Sequence, residues 1–223
     1  MSFVVEVLES ERYGAEAAAR VAMNLPGQGT VVLTGGTTAR EIYGPLAEAD
    51  AGWGGLEVFF SDERCVPPDD DASNYALARR HVLDRVGPRA VHRMKGEADP
   101  GEAARAYGRE AASAVEGGFD LVLLGMGADC HVAALFPHSK ALAAGSDLCL
   151  PVDRPDGLKG LTLTPPALVG AHRVLLLVAG ENKATAVRRV VAGGEEVQGC
   201  PARLFADHPD VTFLLDEGAA SLL

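Results

Sequence analysis

The sequence predicts an α/β fold: a doubly wound, mainly parallel sheet with helices on both faces in a Rossmann-like, three-layer arrangement. Short runs of apolar β-formers alternate along the chain with longer helix-forming stretches, which is the spacing of strand–helix–strand units. The most continuous strand is predicted at 119–124, and its apolar character fits burial on both faces of the sheet. The chain shows no repeat, linker or low-complexity tail, so we expect one domain over residues 1–223.

Each predicted element has its own signal in the sequence. The first helix, at 11–24, is rich in alanine and ends before a Pro-Gly pair that breaks it. A later helix, which ends near residue 86, has several N-cap candidates at 69–74. In chain order we predict strands at 3–8, 30–33, 56–60, 119–124, 148–152, 174–178 and 211–215, helices at 11–24, 40–48, 74–86, 100–116 and 183–191, and an irregular stretch at 153–160.

Composition excludes several classes of function. The formal net charge is −11, which disfavours nucleic acid as a partner because its binding needs a basic surface. No segment approaches the ~20 unbroken apolar residues of a membrane span. The first residues lack the basic start of a secretory signal, so we expect a cytoplasmic protein. The 4 cysteines are widely spaced and no histidine has ligand spacing, which indicates neither a disulfide scaffold nor a metal site.

Three loops that follow predicted strands carry the candidate chemistry. The carboxyl ends of parallel strands meet at one edge of a sheet, and ligands bind there. The first loop contains Gly35, Gly36 and Thr37. Its glycines let the backbone approach a ligand closely, and the free N–H groups of the next helix suit a phosphate. The alternative is that the glycines only form a tight turn.

The second loop carries the charged run Asp62-Glu63-Arg64. The planar fork of Arg64 suits a phosphate, with Asp62 or Glu63 orienting it or binding sugar hydroxyls. The alternative is a solvated loop whose ion pair contributes little. Two lysines are further candidates for the phosphate: Lys183, after the strand at 174–178, and more weakly Lys159 in the irregular stretch.

The third loop contains Asp129, Cys130 and His131. A neutral imidazole at a pocket floor takes a proton from water readily, whereas a lone histidine beside an apolar run is more often a packing residue. The convergence of three loops favours the first interpretation. Asp129 is expected to fix the tautomer of His131, to orient substrate or to cap the next helix. A nucleophilic Cys130 is disfavoured, because adjacent residues seldom point the same way.

Four segments resemble the 6-phosphogluconolactonase family in order and spacing. They are VVLTGGTTAREIYGPLA, FFSDERCVPPDDDASNYALARRHVL, FDLVLLGMGADCHVAALFPHS and TLTPPALVGAHRVLLLVAGENKATAV, followed by the closing VTFLLDEGAA. The resemblance covers nearly the whole chain. The wider superfamily, which includes glucosamine-6-phosphate deaminase, shares the GG turn, a D-E pair and a D-G-H loop.

The resemblance implies hydrolysis of 6-phosphoglucono-δ-lactone to 6-phosphogluconate, a step of the oxidative pentose phosphate pathway, without metal or organic cofactor. The expected partner is therefore a small phosphorylated sugar lactone. His131 matches the general base of the family. The positions that match those holding substrate, chiefly its phosphate, are Gly35, Gly36, Thr37, Arg64, Gly127 and Lys183.

Three positions depart from the family pattern. Cys130 stands where the family nearly always has glycine, Ala39 replaces the usual proline, and Gly160 stands where a basic residue commonly precedes the TLT run. We expect Lys159, one position earlier, to compensate for Gly160. Two alternatives stay open: a sugar-phosphate isomerase or deaminase, which needs a further acid–base carboxylate, and a non-catalytic sugar-phosphate-binding protein, which the departure at Cys130 motivates.

Overall fold

The computed structural model of the protein describes residues 3–49 and 51–223, so residue 1, where the predicted domain begins, lies outside it. The strands are β1 (Val4–Leu8), β2 (Gly29–Leu33), β3 (Leu56–Phe60), β4 (Asp62–Arg64), β5 (Ala90–Val91), β6 (Leu121–Gly125), β7 (Cys149–Asp153), β8 (Lys159–Leu163), β9 (Val174–Val178) and β10 (Val211–Asp216). The helices are α1 (Tyr13–Asn24), α2 (Gly36–Glu48), α3 (Asn74–Ala78), α4 (Asp84–Val86), α5 (Pro100–Gly117), α6 (Pro165–Leu168), α7 (Ala184–Ala192) and α8 (Glu217–Ala220).

Seven of these strands form one sheet in the order β1-β10-β9-β6-β2-β3-β5. Every pairing in this sheet is parallel, and at its centre Val32 of β2 lies between Phe59 of β3 and Val122 of β6. Strands whose two faces are both covered read as nearly continuous apolar runs, as these do. The predicted mainly parallel sheet is confirmed.

Helices cover both faces of the sheet, because successive side chains of a strand point in opposite directions. Val32 belongs to a core that includes Tyr107 of α5 and Val187 of α7. Its neighbour Val31 belongs to a second core, with Val21 of α1 and Ile42 of α2. The three-layer α/β arrangement therefore follows from the pattern of the sequence.

A second, smaller sheet corrects two expectations. Strands β4, β8 and β7 form an antiparallel sheet in that order. The run Asp62–Arg64, expected in a loop, is strand β4, and Arg64 pairs with Gly160. The strand expected near 148–152 is β7, which belongs to this sheet, and the stretch predicted as irregular at 153–160 is mostly the turn between β7 and β8. Strand β4 was not predicted because its residues are charged, whereas strands are recognised in a sequence by apolar periodicity.

The helix predicted to end near residue 86 begins at Asn74. The hydroxyl of Ser73 caps it by accepting a hydrogen bond from the N–H of Ala76 at 3.0 Å. The chain then runs through a π-helical segment at 79–83 into α4. Within residues 3–49 and 51–223, no helix combines the length and the apolar character needed to cross a membrane.

The order of the sheet places a crevice between β2 and β6. From β2 the chain passes through α2 to β3 on one side, whereas β6 leads to β9 on the other side. At such a switch point the connections leave the carboxyl ends of the two central strands uncovered, and ligands bind there. A ligand site is therefore expected at the residues that follow Leu33 and Gly125.

Candidate active site

An open cleft of about 610 Å³ lies at this switch point. The cleft receives residues from the carboxyl ends of β2 and β6, from β4, and from the ends of β7 and β9. Its lining residues are Thr34, Gly35, Gly36, Thr37, Thr38, Asp62, Arg64, Asn74, Gly125, Met126, Gly127, His131, Ala133, Arg154 and Lys183. The structure thus brings together the three loops that the sequence singles out.

The glycine turn after β2 has a separate reason for each glycine. Gly36 has a φ of 92°, which favours a residue without a side chain. A side chain on Gly35 would overlap the amide of Asn74, so this position needs glycine for space. Gly36 is also the first residue of α2, a helix of 13 residues. The N-terminus of α2 therefore faces the cleft with free N–H groups, which favour an anion.

The loop after β6 holds His131 in a tight turn. The N–H of Gly127 donates to the carbonyl of His131 at 2.9 Å, and the N–H of Cys130 donates back to Gly127 at 3.0 Å. Cys130 sits in the left-handed region with a φ of 69°. The turn is anchored to the small sheet, because the N–H of Ala134 donates to the hydroxyl of Thr162 at 3.1 Å.

Asp129 and His131 form a hydrogen-bonded pair at the cleft. Nδ1 of His131 lies 2.6 Å from Oδ1 of Asp129, and the same oxygen accepts the main-chain N–H of His131 at 3.2 Å. Burial raises the pKa of Asp129, but the hydrogen bond and charge of His131 outweigh it and lower this pKa to about 2. The carboxylate is therefore ionised at neutral pH. An ionised carboxylate holds the proton on Nδ1, which leaves Nε2 as a base.

Gly127 lies directly beneath this pair. A side chain there would overlap both the imidazole of His131 and the carboxylate of Asp129. The ring of His131 also packs against Phe136, with 4.6 Å between ring centroids. Glycine on one side and an aromatic ring on the other thus restrict the orientation of the imidazole.

Glu63 is not brought to the cleft. Its carboxylate is buried and accepts four hydrogen bonds, from the N–H groups of Arg64, Asn74 and Tyr75 and from the hydroxyl of Ser73, at 2.7 to 2.8 Å. Burial raises the pKa of Glu63, and these donors act in the opposite direction. With its oxygens occupied by the protein, Glu63 organises the polypeptide around Arg64 rather than a ligand.

Arg64 does line the cleft. Its Nη1 donates to the carbonyl of Ala72 at 2.8 Å and to the amide oxygen of Asn74. Its Nε is buried and, among the described residues, has no hydrogen-bond partner. Asp62 is also at the cleft, where it is 5% exposed and accepts the hydroxyl of Ser61 at 2.9 Å. Both residues are therefore available to a ligand only on the side that faces the cleft.

Lys183 reaches the cleft from the turn after β9, whereas Lys159 does not line it. In the described parts of the chain, the ammonium of Lys183 makes no ion pair. Arg40 was missed in the sequence: it lies one turn into α2 and lines an adjoining cavity together with Thr37 and Arg64. Helical spacing from Thr37 could have indicated it, because residues three apart share a face. Arg154 was missed because it lies in the stretch predicted to be irregular.

The thiol of Cys130 faces away from the cleft. Its Sγ is buried and lies 3.8 Å from the carbonyl oxygen of Ala186. The side chain of His131 instead points to the cleft, as expected for adjacent residues. Over the described residues, no group of three or more His, Cys, Asp or Glu side chains is arranged to hold a metal.

Comparison with known proteins agrees with this geometry. Residues 8–213 match the family model described as glucosamine-6-phosphate isomerases/6-phosphogluconolactonase. The chain belongs to this family. A relative from Synechocystis named 6-phosphogluconolactonase is 40% identical over 206 residues, which cover 88% of this chain and 85% of the relative. Another 6-phosphogluconolactonase, from Nostoc, is 35% identical over 211 residues, covering 91% and 88%.

Solved structures of the family share the fold. A 6-phosphogluconolactonase from Trypanosoma cruzi has a TM-score of 0.85 and 26% identity, with 100% of this chain and 98% of that chain covered. A monomeric glucosamine-6-phosphate deaminase has a TM-score of 0.87 at 23% identity, which shows the common fold alone. Overall geometry therefore does not separate the two activities of the family, and the residues of the cleft must do so.

Proposed function

We propose that the protein hydrolyses 6-phosphoglucono-δ-lactone to 6-phosphogluconate, with His131 as the general base. The observation that carries this proposal is the hydrogen-bonded pair of His131 and Asp129 at the floor of the cleft. Such a pair orients the imidazole, with Nδ1 held by the carboxylate and Nε2 not engaged by it. The relatives named 6-phosphogluconolactonase, at 35–40% identity over most of their length, support the substrate.

The reaction follows from the position of this base. Nε2 of His131 removes a proton from water, and the water oxygen attacks the lactone carbonyl to form a tetrahedral intermediate. The ring C–O bond then breaks, and the imidazolium returns its proton to the departing ring oxygen. Asp129 stabilises the imidazolium that forms between the two steps and keeps the ring in one orientation.

The phosphate of the substrate is assigned to the other end of the cleft. The N–H groups at the start of α2, around Gly36 and Thr37, present donors and a positive helix end to it. Arg64 and Lys183 add charge from β4 and from the turn after β9, and Arg40 adds charge from the adjoining cavity. A dianion suits this end, because Arg64 and Lys183 line the cleft beside the free N–H groups of α2.

The cleft also bears on the alternative isomerase or deaminase activity. Two carboxylates lie at the cleft among the described residues: Asp129, which is hydrogen-bonded to His131, and Asp62, which lines the cleft wall. The carboxylate of Asp62 is buried, accepts a hydrogen bond from the hydroxyl of Ser61, and lies 3.7 Å from the guanidinium of Arg154. Because protein groups engage its carboxylate, Asp62 is poorly placed to move protons between sugar carbons.

A direct assay tests the proposal. Purified protein is mixed with freshly made 6-phosphoglucono-δ-lactone, and initial proton release is measured with the spontaneous rate subtracted. Glucosamine 6-phosphate is assayed in parallel for ammonia release. The proposal requires rapid hydrolysis of the lactone and no deamination. Ammonia release without lactone hydrolysis would support the alternative, and binding of 6-phosphogluconate without any turnover would indicate a non-catalytic binding protein.

A further inference from the structure

Arg154 enters the cleft by lying across a glycine of the neighbouring strand. Arg154 is the first residue after β7. Gly160 of β8 pairs with Val152, two residues before Arg154. A Cβ on Gly160 would lie 3.0 Å from Cδ and 3.4 Å from Cγ of Arg154, and 3.0 Å from the carbonyl oxygen of Glu63. Gly160 does not have a positive φ. Glycine at this position therefore provides space for the Arg154 side chain and for the main-chain carbonyl of Glu63, rather than an unusual backbone conformation.

The guanidinium of Arg154 is fixed on one side and free on the other. Its Nε and Nη2 donate to Oδ2 of Asp156 at 3.1 and 3.0 Å. Its Nη1 lies 3.7 Å from Oδ2 of Asp62, which is beyond hydrogen-bond distance. Within the described residues Nη1 has no hydrogen-bond partner. The side chain is 10% exposed, so a positioned and largely desolvated donor remains at the cleft.

Arg154 and His131 contact the same aromatic ring. Cζ of Arg154 is 5.6 Å from the centroid of the Phe136 ring, and the imidazole of His131 packs against this ring at 4.6 Å. Both side chains also line the cleft. A ligand in the cleft can therefore contact both the guanidinium and the general base.

The charges around Arg154 select the kind of group it binds. Two carboxylates, Asp62 and Asp156, already compensate its charge. A phosphate dianion gains little from a cation whose charge is already compensated. Lys183 makes no ion pair in the described chain, so it suits the phosphate better than Arg154 does. A carbonyl oxygen that becomes negative only during the reaction needs one well-oriented donor instead. The chemistry therefore favours the lactone carbonyl as the partner of Arg154.

We propose that Nη1 of Arg154 binds the lactone carbonyl oxygen and stabilises its negative charge in the tetrahedral intermediate, and that Gly160 makes this position accessible to Arg154. The inference rests on the proposed lactonase function. It assigns to Arg154 the compensating role that the sequence suggested for Lys159, and it makes Gly160 and Arg154 a coupled pair across the β7–β8 hairpin.

The test compares Arg154→Ala on 6-phosphoglucono-δ-lactone and on glucono-δ-lactone, which lacks the phosphate. Loss of one donor to a developing oxyanion lowers kcat by roughly 10²- to 10³-fold, and we expect a similar factor on both substrates with little change in KM. Arg173→Ala is the matched control, because Arg173 also binds an aspartate, Asp210 at 2.7 Å, but lies outside the cleft. A loss confined to the phosphorylated lactone, or a change below about twofold on both, would refute the assignment.

Gly160→Ala keeps the guanidinium but displaces it, so its effect on kcat in the wild-type background alone tests the inference if Arg154→Ala fails to fold. Where Arg154→Ala folds, the two substitutions are also combined. We expect a lower kcat for Gly160→Ala in the wild-type background and no further loss when Arg154 is already alanine. Equal losses in the two backgrounds would refute the coupling. An inactive wild-type protein would refute the proposed function itself, whereas active wild type with an unimpaired Arg154→Ala variant refutes only this inference.

Discussion

Substitutions of Asp129 separate the position of its carboxylate from its charge. One oxygen, Oδ1, accepts both the ring Nδ1 and the main-chain N–H of His131. Asparagine keeps both hydrogen bonds when its carbonyl oxygen takes the position of Oδ1, but it lacks the negative charge. Alanine lacks both hydrogen bonds and the charge. Hydrogen bonds to charged groups contribute about 1.5–3 kcal/mol and neutral ones about 0.5–1.5 kcal/mol. We therefore expect kcat to fall roughly 10-fold in Asp129→Asn and by roughly 10- to 150-fold in Asp129→Ala.

The same pair predicts a pH dependence of stability. Because the pKa of Asp129 is lowered to about 2 in the folded protein, its stabilising contribution is complete above the unfolded value of about 3.9. That contribution is lost as the pH falls toward the folded value. The difference in unfolding free energy between wild type and Asp129→Asn should therefore be present at pH 5 and shrink as the pH falls below about 4.

Initial rates of lactone hydrolysis, corrected for the spontaneous reaction, measure the activity, and urea unfolding at several pH values measures the stability. Thermal unfolding serves as the control that each variant is folded at the assay temperature. An Asp129→Ala enzyme within twofold of wild type would refute the role given to the pair. Equal losses in the asparagine and alanine variants would show that charge alone matters and that the retained hydrogen bonds do not.

Five further variants test other parts of the account. Arg64→Ala and Lys183→Ala should each reduce kcat/KM on the phosphorylated lactone by roughly 10- to 150-fold and spare glucono-δ-lactone; equal losses on both substrates would contradict a phosphate role. Cys130→Gly relieves a left-handed conformation worth about 1–2 kcal/mol but loses a buried thiol and gains chain entropy, so stability should change by less than about 1 kcal/mol while kcat/KM equals or exceeds wild type. Cys130→Ser should keep most activity, and an inactive serine variant would point to a chemical role of the thiol. Glu63→Gln turns an amide toward main-chain donors and should destabilise the fold by about 2–6 kcal/mol in urea unfolding; an unchanged midpoint would be inconsistent with the four hydrogen bonds.

The sequence predicted the central sheet well because its strands are buried on both faces. A run such as Leu121–Gly125 is apolar for the same reason that it is central, so composition and position agree. Strand β4 could not be predicted in this way. Its residues, Asp62–Arg64, are charged, because two of them line the cleft and Glu63 binds main-chain N–H groups. Its pairing with β8 joins segments about 100 residues apart in the sequence. Local patterns do not report such pairings.

Prediction of the site followed the same division. The sequence predicted that His131 and Gly35 would meet at one cleft because each follows an apolar strand, and parallel strands bring their carboxyl ends together. Glu63 was predicted to orient Arg64 or to bind sugar hydroxyls, because the sequence does not reveal that four donors surround its carboxylate. Arg154 was missed because its approach depends on the hairpin between β7 and β8 and on the space above Gly160, which only the folded chain defines.

The central claim is that His131 is the general base, and the most direct measurement is the turnover of His131→Ala on 6-phosphoglucono-δ-lactone. A positioned base contributes roughly 10²- to 10⁴-fold. The account therefore predicts loss of nearly all catalysed hydrolysis above the spontaneous rate, with binding of 6-phosphogluconate, measured by calorimetry, largely intact. An alanine variant that binds the product and retains more than about a tenth of wild-type turnover would contradict the account.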